Sequence, residues 1–154
     1  MAAKGFNCFN GTRPVPQSAC ALGSSGFDSS KSSTYCPYND AIFSPTYNDG
    51  GYVQGSVGHD TISVGGITVK EQVIGLASNV SWTGGSGVND GILGLGLRNV
   101  TTVMDAKTKA HISYDLFFYN SVKQNVVESP CGHLFTLMPI SVRLKNRISF
   151  HPGT

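Results

Sequence analysis

Charge is the scarcest ingredient of this sequence. Only 13% of its 154 residues are Asp, Glu, Lys or Arg, and they leave a net charge of +2, too weak a field of one sign to recruit a polyanion. The basic residues are scattered apart from Arg143, Lys145 and Arg147, and no aromatic side chains interleave with that group. No nucleic-acid partner is therefore expected. Long apolar runs are also missing. Nothing approaches the roughly 20 consecutive apolar residues that span a bilayer, and the opening MAAKGFNCFNG lacks the apolar segment of a secretory leader. Neither membrane association nor a signal peptide is expected of these residues. Cysteine is sparse and poorly spaced for metal: Cys8, Cys20, Cys36 and Cys131 form no C-x-x-C pair, and His111 and His133 complete no zinc pattern. No metal and no cofactor are expected, and an even set of four points to disulfides instead. His59, His111, His133 and His151 have no partner serine or cysteine in a nucleophile motif, and no phosphate loop is present.

What is abundant is glycine, 19 residues, within a chain that is 40% hydrophobic. That balance and length predict one β-rich domain over 1–154 with a real core, and no internal repeat suggests a solenoid. The first forty residues read as loop, with turns at NGTRPVP and a serine-rich run GSSGFDSSKSST. From Ala41 the pattern changes. Tyr52, Gln54 and Ser56 alternate with Val53, Gly55 and Val57, and Ile62 and Val64 lead through Gly65-Gly66 to Ile67 and Val69, which predicts two strands joined by a Gly-Gly hairpin turn. A third strand is expected in VIGLAS. One helix is expected, capped by Ser113 with Asp115 in its first turn and a stripe of Tyr114, Phe117, Phe118, Val122 and Val126 facing the core. The tail returns to strand through Ile140, Val142, Leu144, Ile148 and Phe150. Three Asn-x-Ser/Thr sequons, at Asn10, Asn79 and Asn99, occur at about the frequency chance would give and are compatible with secretion.

YNDGGYVQGSVGHDTISVGG, Tyr47 to Gly66, has too many glycines for an ordinary strand pair and too regular an alternation for a linker. Glycines at Gly50, Gly51, Gly55 and Gly58 anchor a hairpin tip weakly, so the stretch reads either as a lid with Tyr47 at its base or as bulged sheet with Tyr47 in the core. The order and spacing of FDSSKSSTY, this stretch continued through ITVKEQVIGLAS, then NDGILGLG, FFYNSVKQNVVESP and LFTL resemble the N-terminal lobe of pepsin-like aspartic endopeptidases, especially secreted fungal ones, over about Ser18 to Leu137. The resemblance implies a mainly β, pepsin-like barrel lobe with one short helix. It also implies that the glycine-rich hairpin is a flap closing over peptide, with Tyr47 as the flap tyrosine, Asn48, Asp49 and Gly50 presenting backbone to substrate, and Ile92 beside a side-chain pocket.

The same resemblance exposes what is missing. Such enzymes work with two aspartates sharing one proton, each on an Asp-Thr/Ser-Gly loop, and no such loop occurs in these residues. Asp28, Asp49 and Asp60 read as structural, so no catalytic residue is expected. The chain is expected to be a partial lobe, divergent over 1–17 and 138–154, with CGH at Cys131 to His133 inserted. Sequence proximity favours a Cys8–Cys20 bridge, leaving Cys36 for Cys131 by exclusion among three possible pairings. The expected function is a flap-bearing piece of an aspartic endopeptidase that is inactive alone. The alternative is a non-catalytic pepsin-like binding or inhibitor protein. The partners implied are a peptide or protein substrate, or a missing second lobe, and the family places the chain in a secreted or vacuolar setting.

Overall fold

The computed structural model describes residues 1–20, 26–48, 50–81, 91–94, 102–127 and 149–150. Its frame is one long hairpin. β4 (Tyr52–Val64) and β5 (Ile67–Ser81) pair antiparallel along their length and turn at Gly65-Gly66, whose φ values of 58° and 86° belong to a two-residue turn that side chains enter only with strain. Around this hairpin the sheet grows on both sides. β1 (Ala2–Asn10) lies parallel to β5, with Ala2 opposite Ala77 and Cys8 opposite Val80, and β2 (Arg13–Val15) folds back on β1. On the other side β3 (Cys36–Phe43) pairs with β4, followed by β6 (Val103–Asp105) and β7 (His111–Ile112). Finally, β8 (Ser149–Phe150) joins β4 at Ile62 and Ser63. The order is β2-β1-β5-β4-β3-β6-β7. Its two end strands are three and two residues long and do not pair with each other. The fold is thus mainly β with one short helix, as expected, and among the described residues its sheet runs as an open path.

Three expectations change. Residues 1–40 are not mainly loop, because β1 occupies nine of them and β3 begins at Cys36. β1 escapes a local reading because its partner is some seventy positions away, and because Gly5, at φ 73°, sits where the register shifts between Ala2 and Asn7. VIGLAS is not a separate strand. It continues β5, whose alternation is broken by an irregularity after Val69 with Glu71 at φ 52° while the pairing with β4 resumes. The helix is shorter than its stripe: α1 runs Phe117–Lys123 behind Leu116, with no side-chain cap from Ser113 or Asp115. Residues 113–116 are instead drawn onto the sheet. Tyr114 stacks on Tyr38 with centroids 5.9 Å apart, and the Asp115 carbonyl accepts from Gln72 Nε2 at 3.3 Å. Phe117 is buried, whereas Val126 is 41% exposed. Residues 140–148 of the expected tail strands lie outside the described residues. No helix among the described residues is long and apolar enough to cross a membrane.

The core divides into three clusters along the sheet. Ala2, Phe6, Cys8, Cys20, Val53, Ala77 and Val80 form the first, Ala41, Val57 and Val103 the second, and Ile62, Val69 and Phe117 the third. α1 is tied to the sheet by amides as well as by Phe117. Gln124 bonds both backbone groups of Lys70, accepting from its N–H at 3.0 Å and donating to its carbonyl at 2.8 Å, and Asn120 donates to Gln72 Oε1 at 3.1 Å. Gln124 thereby serves the backbone groups that the irregularity in β5 takes out of the ladder.

Within the first cluster Cys8 and Cys20 form a disulfide. Cys36 is exposed and unbridged among the described residues, and Cys131, its expected partner, lies outside them. The bridge closes a loop with a sequence separation of 12, for which chain entropy alone gives about 3 kcal/mol. Replacing both cysteines by serine should lower the denaturant midpoint accordingly. An unchanged midpoint, in protein shown by mass to have carried the bridge, would mean that this segment is not ordered by its cross-link.

Candidate functional site

The turn that leads into β4 is built as a three-residue hairpin loop. Thr46 pairs with Tyr52, the Val53 N–H donates to Pro45 O at 3.0 Å, and the Tyr47 N–H donates to Gly51 O at 2.8 Å. Across the tip the Gly50 N–H donates to Tyr47 O at 3.0 Å, with Gly50 at φ 81°. A tight turn followed by a left-handed residue is the usual way to close such a loop, and the Asn-Asp-Gly-Gly order supplies the glycine where it is needed. Asn48 and Gly50 are exposed; Asp49, between them, lies outside the described residues. Tyr47 is half-buried against the first core cluster. Its side chain therefore pins the base of the hairpin, while Asn48 and Gly50 stay exposed.

Ile92 is 61% exposed, in a segment held from both sides. Leu93 packs on the third cluster, and Gly91 approaches the start of β1 so closely that a Cβ there would lie 3.0 Å from Met1 Cα. Tyr47 rests on the cluster that contains Ala2, and Gly91 abuts Met1. The two expected binding elements thus rest on different parts of the molecule, Tyr47 on the first core cluster and Leu93 on the third.

The carboxyls have different employment. Asp28 caps a 3-10 turn, Ser29–Lys31, accepting from Ser30 Oγ at 2.6 Å and from Ser30 N at 3.3 Å, and it pairs with Lys4 Nζ at 3.0 Å. The Ser30 hydroxyl, followed by the Lys4 ammonium, pulls its carboxyl down to about 2. Because the folded value is depressed, the contribution of this cap is complete above the ordinary Asp value of about 4 and is lost as pH falls toward 2. Asp60 is fully buried within β4. Ser32 Oγ donates to both of its oxygens, at 3.0 and 2.8 Å, the Thr34 hydroxyl donates to Oδ1, and the Thr61 N–H donates to Oδ1 at 2.7 Å. Among the described residues no three His, Cys, Asp or Glu side chains gather so as to hold a metal ion.

The Asp60 cluster was only partly visible in the sequence. An acid within a strand that alternates into the core signals a need for donors, and the serine-rich run that reads as loop supplies them through Ser32 and Thr34. The amides of Gln72, Asn120 and Gln124, which dock α1, gave no comparable signal.

Comparison with known proteins gives these features a context. The family model of eukaryotic aspartyl proteases matches residues 11–138. Rhizopuspepsin-4 of Rhizopus niveus is 33% identical over 111 residues, covering 72% of this chain and 26% of that protein. Aspartic protease PEP3 of Coccidioides posadasii is 39% identical over 92 residues, covering 57% of this chain and 20% of that protein. Among solved structures, the crystal structure of the aspartic proteinase from Irpex lacteus matches with a TM-score of 0.56 at 30% identity, covering 69% of this chain and 29% of that one. The chain thus spans 20–26% of the length of these two curated relatives.

Proposed function

Since the chain belongs to the eukaryotic aspartyl protease family, we propose that it is a flap-bearing part of an aspartic endopeptidase that holds extended peptide but does not cleave it unaided. The observation that carries this reading is the hairpin loop between Tyr47 and Gly51, exposed at Asn48 and Gly50 and pinned at its base by Tyr47 on the core. Peptide lying along such a loop is held by main-chain hydrogen bonds, with Ile92 offering an apolar contact for one side chain. Cleavage by the family's chemistry requires two carboxyls sharing a proton. The 154 residues contain no Asp-Thr/Ser-Gly loop, while the carboxyls of Asp28 and Asp60 are each occupied by their own donors. The partners proposed are a peptide or protein substrate and a second lobe, in a secreted or vacuolar compartment.

Folded, bridge-intact chain incubated at acid pH with a denatured protein substrate should release no peptides. Titration of isotopically labelled chain with an extended peptide should shift Asn48, Gly50 and Ile92 resonances with a Kd of roughly millimolar, about 4 kcal/mol. Hydrolysis that is blocked by an aspartic-protease inhibitor and survives removal of contaminants would overturn the inactivity. Asn replacements at Asp28, Asp49 and Asp60 would then locate the chemistry. Binding whose shifts avoid the 47–51 loop would overturn the flap assignment in favour of a pepsin-like binding protein.

A further inference from the structure

The sequence holds three Asn-x-Ser/Thr sequons, and the structure separates two of them. Asn79 lies in the middle of the sheet, on β5, paired with Asn7 of β1 on one side and Gln54 of β4 on the other. Its Oδ1 accepts from Asn7 Nδ2 at 3.0 Å, and Ser81, the hydroxyl residue of its sequon, is 1% exposed. A glycan attached there would stand on a strand that is flanked on both sides, with the sequon's hydroxyl sealed in the core. Asn99, the third, lies outside the described residues.

Asn10 is placed quite differently. It is the last residue of β1, opposite Arg13 of β2, so that Gly11 and Thr12 form the turn between them. Asn10 and Thr12 are both exposed, and Gly11 takes φ 60°, in the left-handed region. The turn is steadied from outside by Tyr52, whose hydroxyl donates to Gly11 O at 3.2 Å, and from within by the Cys8–Cys20 bridge two residues upstream. Both functional groups of the sequon therefore stand on a hairpin turn at the open end of the sheet, where a bulky hydrophilic substituent meets no neighbouring strand.

We infer that Asn10 is an N-glycan acceptor and that Asn79 is not. The co-substrate is a lipid-linked oligosaccharyl diphosphate. A bond forms between the Asn10 amide nitrogen and the anomeric carbon of the first sugar, while the bond from that carbon to the diphosphate oxygen breaks. The lipid diphosphate leaves with the bonding electron pair, and the amide nitrogen gives up one of its two protons to a base of the transferase. The physical consequence is protection of an edge. β2 is an end strand of the sheet, and a glycan rooted at Asn10 would shield its unpaired backbone groups from pairing with another chain.

The test expresses the full chain behind a cleavable leader in a eukaryotic host, so that the outcome does not depend on the chain's natural destination. Total cell material and medium are both digested, and glycopeptides are read by mass spectrometry after enzymatic release, which converts the modified Asn to Asp. Glycan is expected at Asn10, abolished in both Asn10→Gln and Thr12→Ala and unchanged in Asn79→Gln. Bacterially produced Asn10→Gln should match the wild type in circular dichroism and elution volume, which separates loss of the acceptor from loss of the fold. An unmodified Asn10 peptide from chain whose leader has been removed would overturn the inference. So would glycan at Asn79 in chain that carries the Cys8–Cys20 bridge.

Discussion

Gly55→Ala should cost this fold about 4 kcal/mol, a large share of the roughly 5–15 kcal/mol that holds an ordinary domain folded. The reason lies in the ladder between β4 and β5. Gln54 pairs with Asn79 but Gly55 pairs with Ala77, so Ser78 is an extra residue on β5 and the two strands close unevenly around it. The Ser78 hydroxyl reaches back to Gln54 O at 3.3 Å. As the chain bends past Ser78, the Leu76 carbonyl comes up against Gly55, and a Cβ at Gly55 would sit 1.8 Å from Leu76 O and 2.6 Å from Leu76 C. Both atoms are backbone, within a strand paired on both sides, so no side-chain rotation relieves the overlap. The strands themselves would have to part, next to Val53, Leu76 and Ala77 of the core.

Gly50→Ala is the control. Its Cβ would meet nothing within 4 Å, so the only penalty is the left-handed φ of 81°, worth about 1–2 kcal/mol. Urea unfolding of the two variants should therefore give clearly different midpoints. Equal losses would mean that the irregularity at Ser78 is absent in solution and that the ladder runs in regular register there.

How much of this could be read from the chain depends on how local each cause is. The Gly65-Gly66 turn was legible because both residues and both flanking alternations lie within a few positions of one another. Of the glycines expected at the tip of the Tyr47 hairpin, Gly50 sits where a left-handed backbone is needed, whereas Gly55 and Gly58 lie within β4 and pair with both β3 and β5. β1 was hidden because a parallel partner about seventy residues away leaves no local trace, and Gly5 breaks the little alternation it has. The start of α1 was misplaced because local capping rules favoured Ser113, while packing of Tyr114 on Tyr38 held the chain extended for another turn. For the candidate site, the residue types were evident, yet the packing of Tyr47 on the first core cluster and the approach of Gly91 to Met1 are tertiary facts.

Asp60→Ala should be the second severe substitution, at about 4 kcal/mol, for a reason opposite to the first: it removes atoms rather than adding them. Asp60 is fully buried, and three donors from two segments converge on it: the hydroxyls of Ser32 and Thr34, and the Thr61 N–H at 2.7 Å. Alanine strands these donors around a small void, and each buried polar group left without a partner costs about 1–3 kcal/mol. The hydroxyls of Ser32 and Thr34 can recover part of this by turning toward water, since both residues are partly accessible. The Thr61 N–H, fixed by the strand, keeps only a long bond to Thr34 Oγ1 at 3.4 Å. Asp60→Asn separates shape from chemistry. It fills the same space and keeps one acceptor oxygen for Thr61, but its amide group presents donors where Ser32 donated, so the serine must rotate to accept. A loss of about 1–2 kcal/mol is expected, well short of the alanine variant. Ser32→Ala and Thr34→Ala, each combined with Asp60→Ala in a double-mutant cycle, should then show strong coupling, because removing a donor after its acceptor has gone costs little. If Asp60→Ala proved nearly neutral, or if its effect simply added to those of Ser32→Ala and Thr34→Ala, the serine-rich run would not be fastened to β4 through this carboxyl.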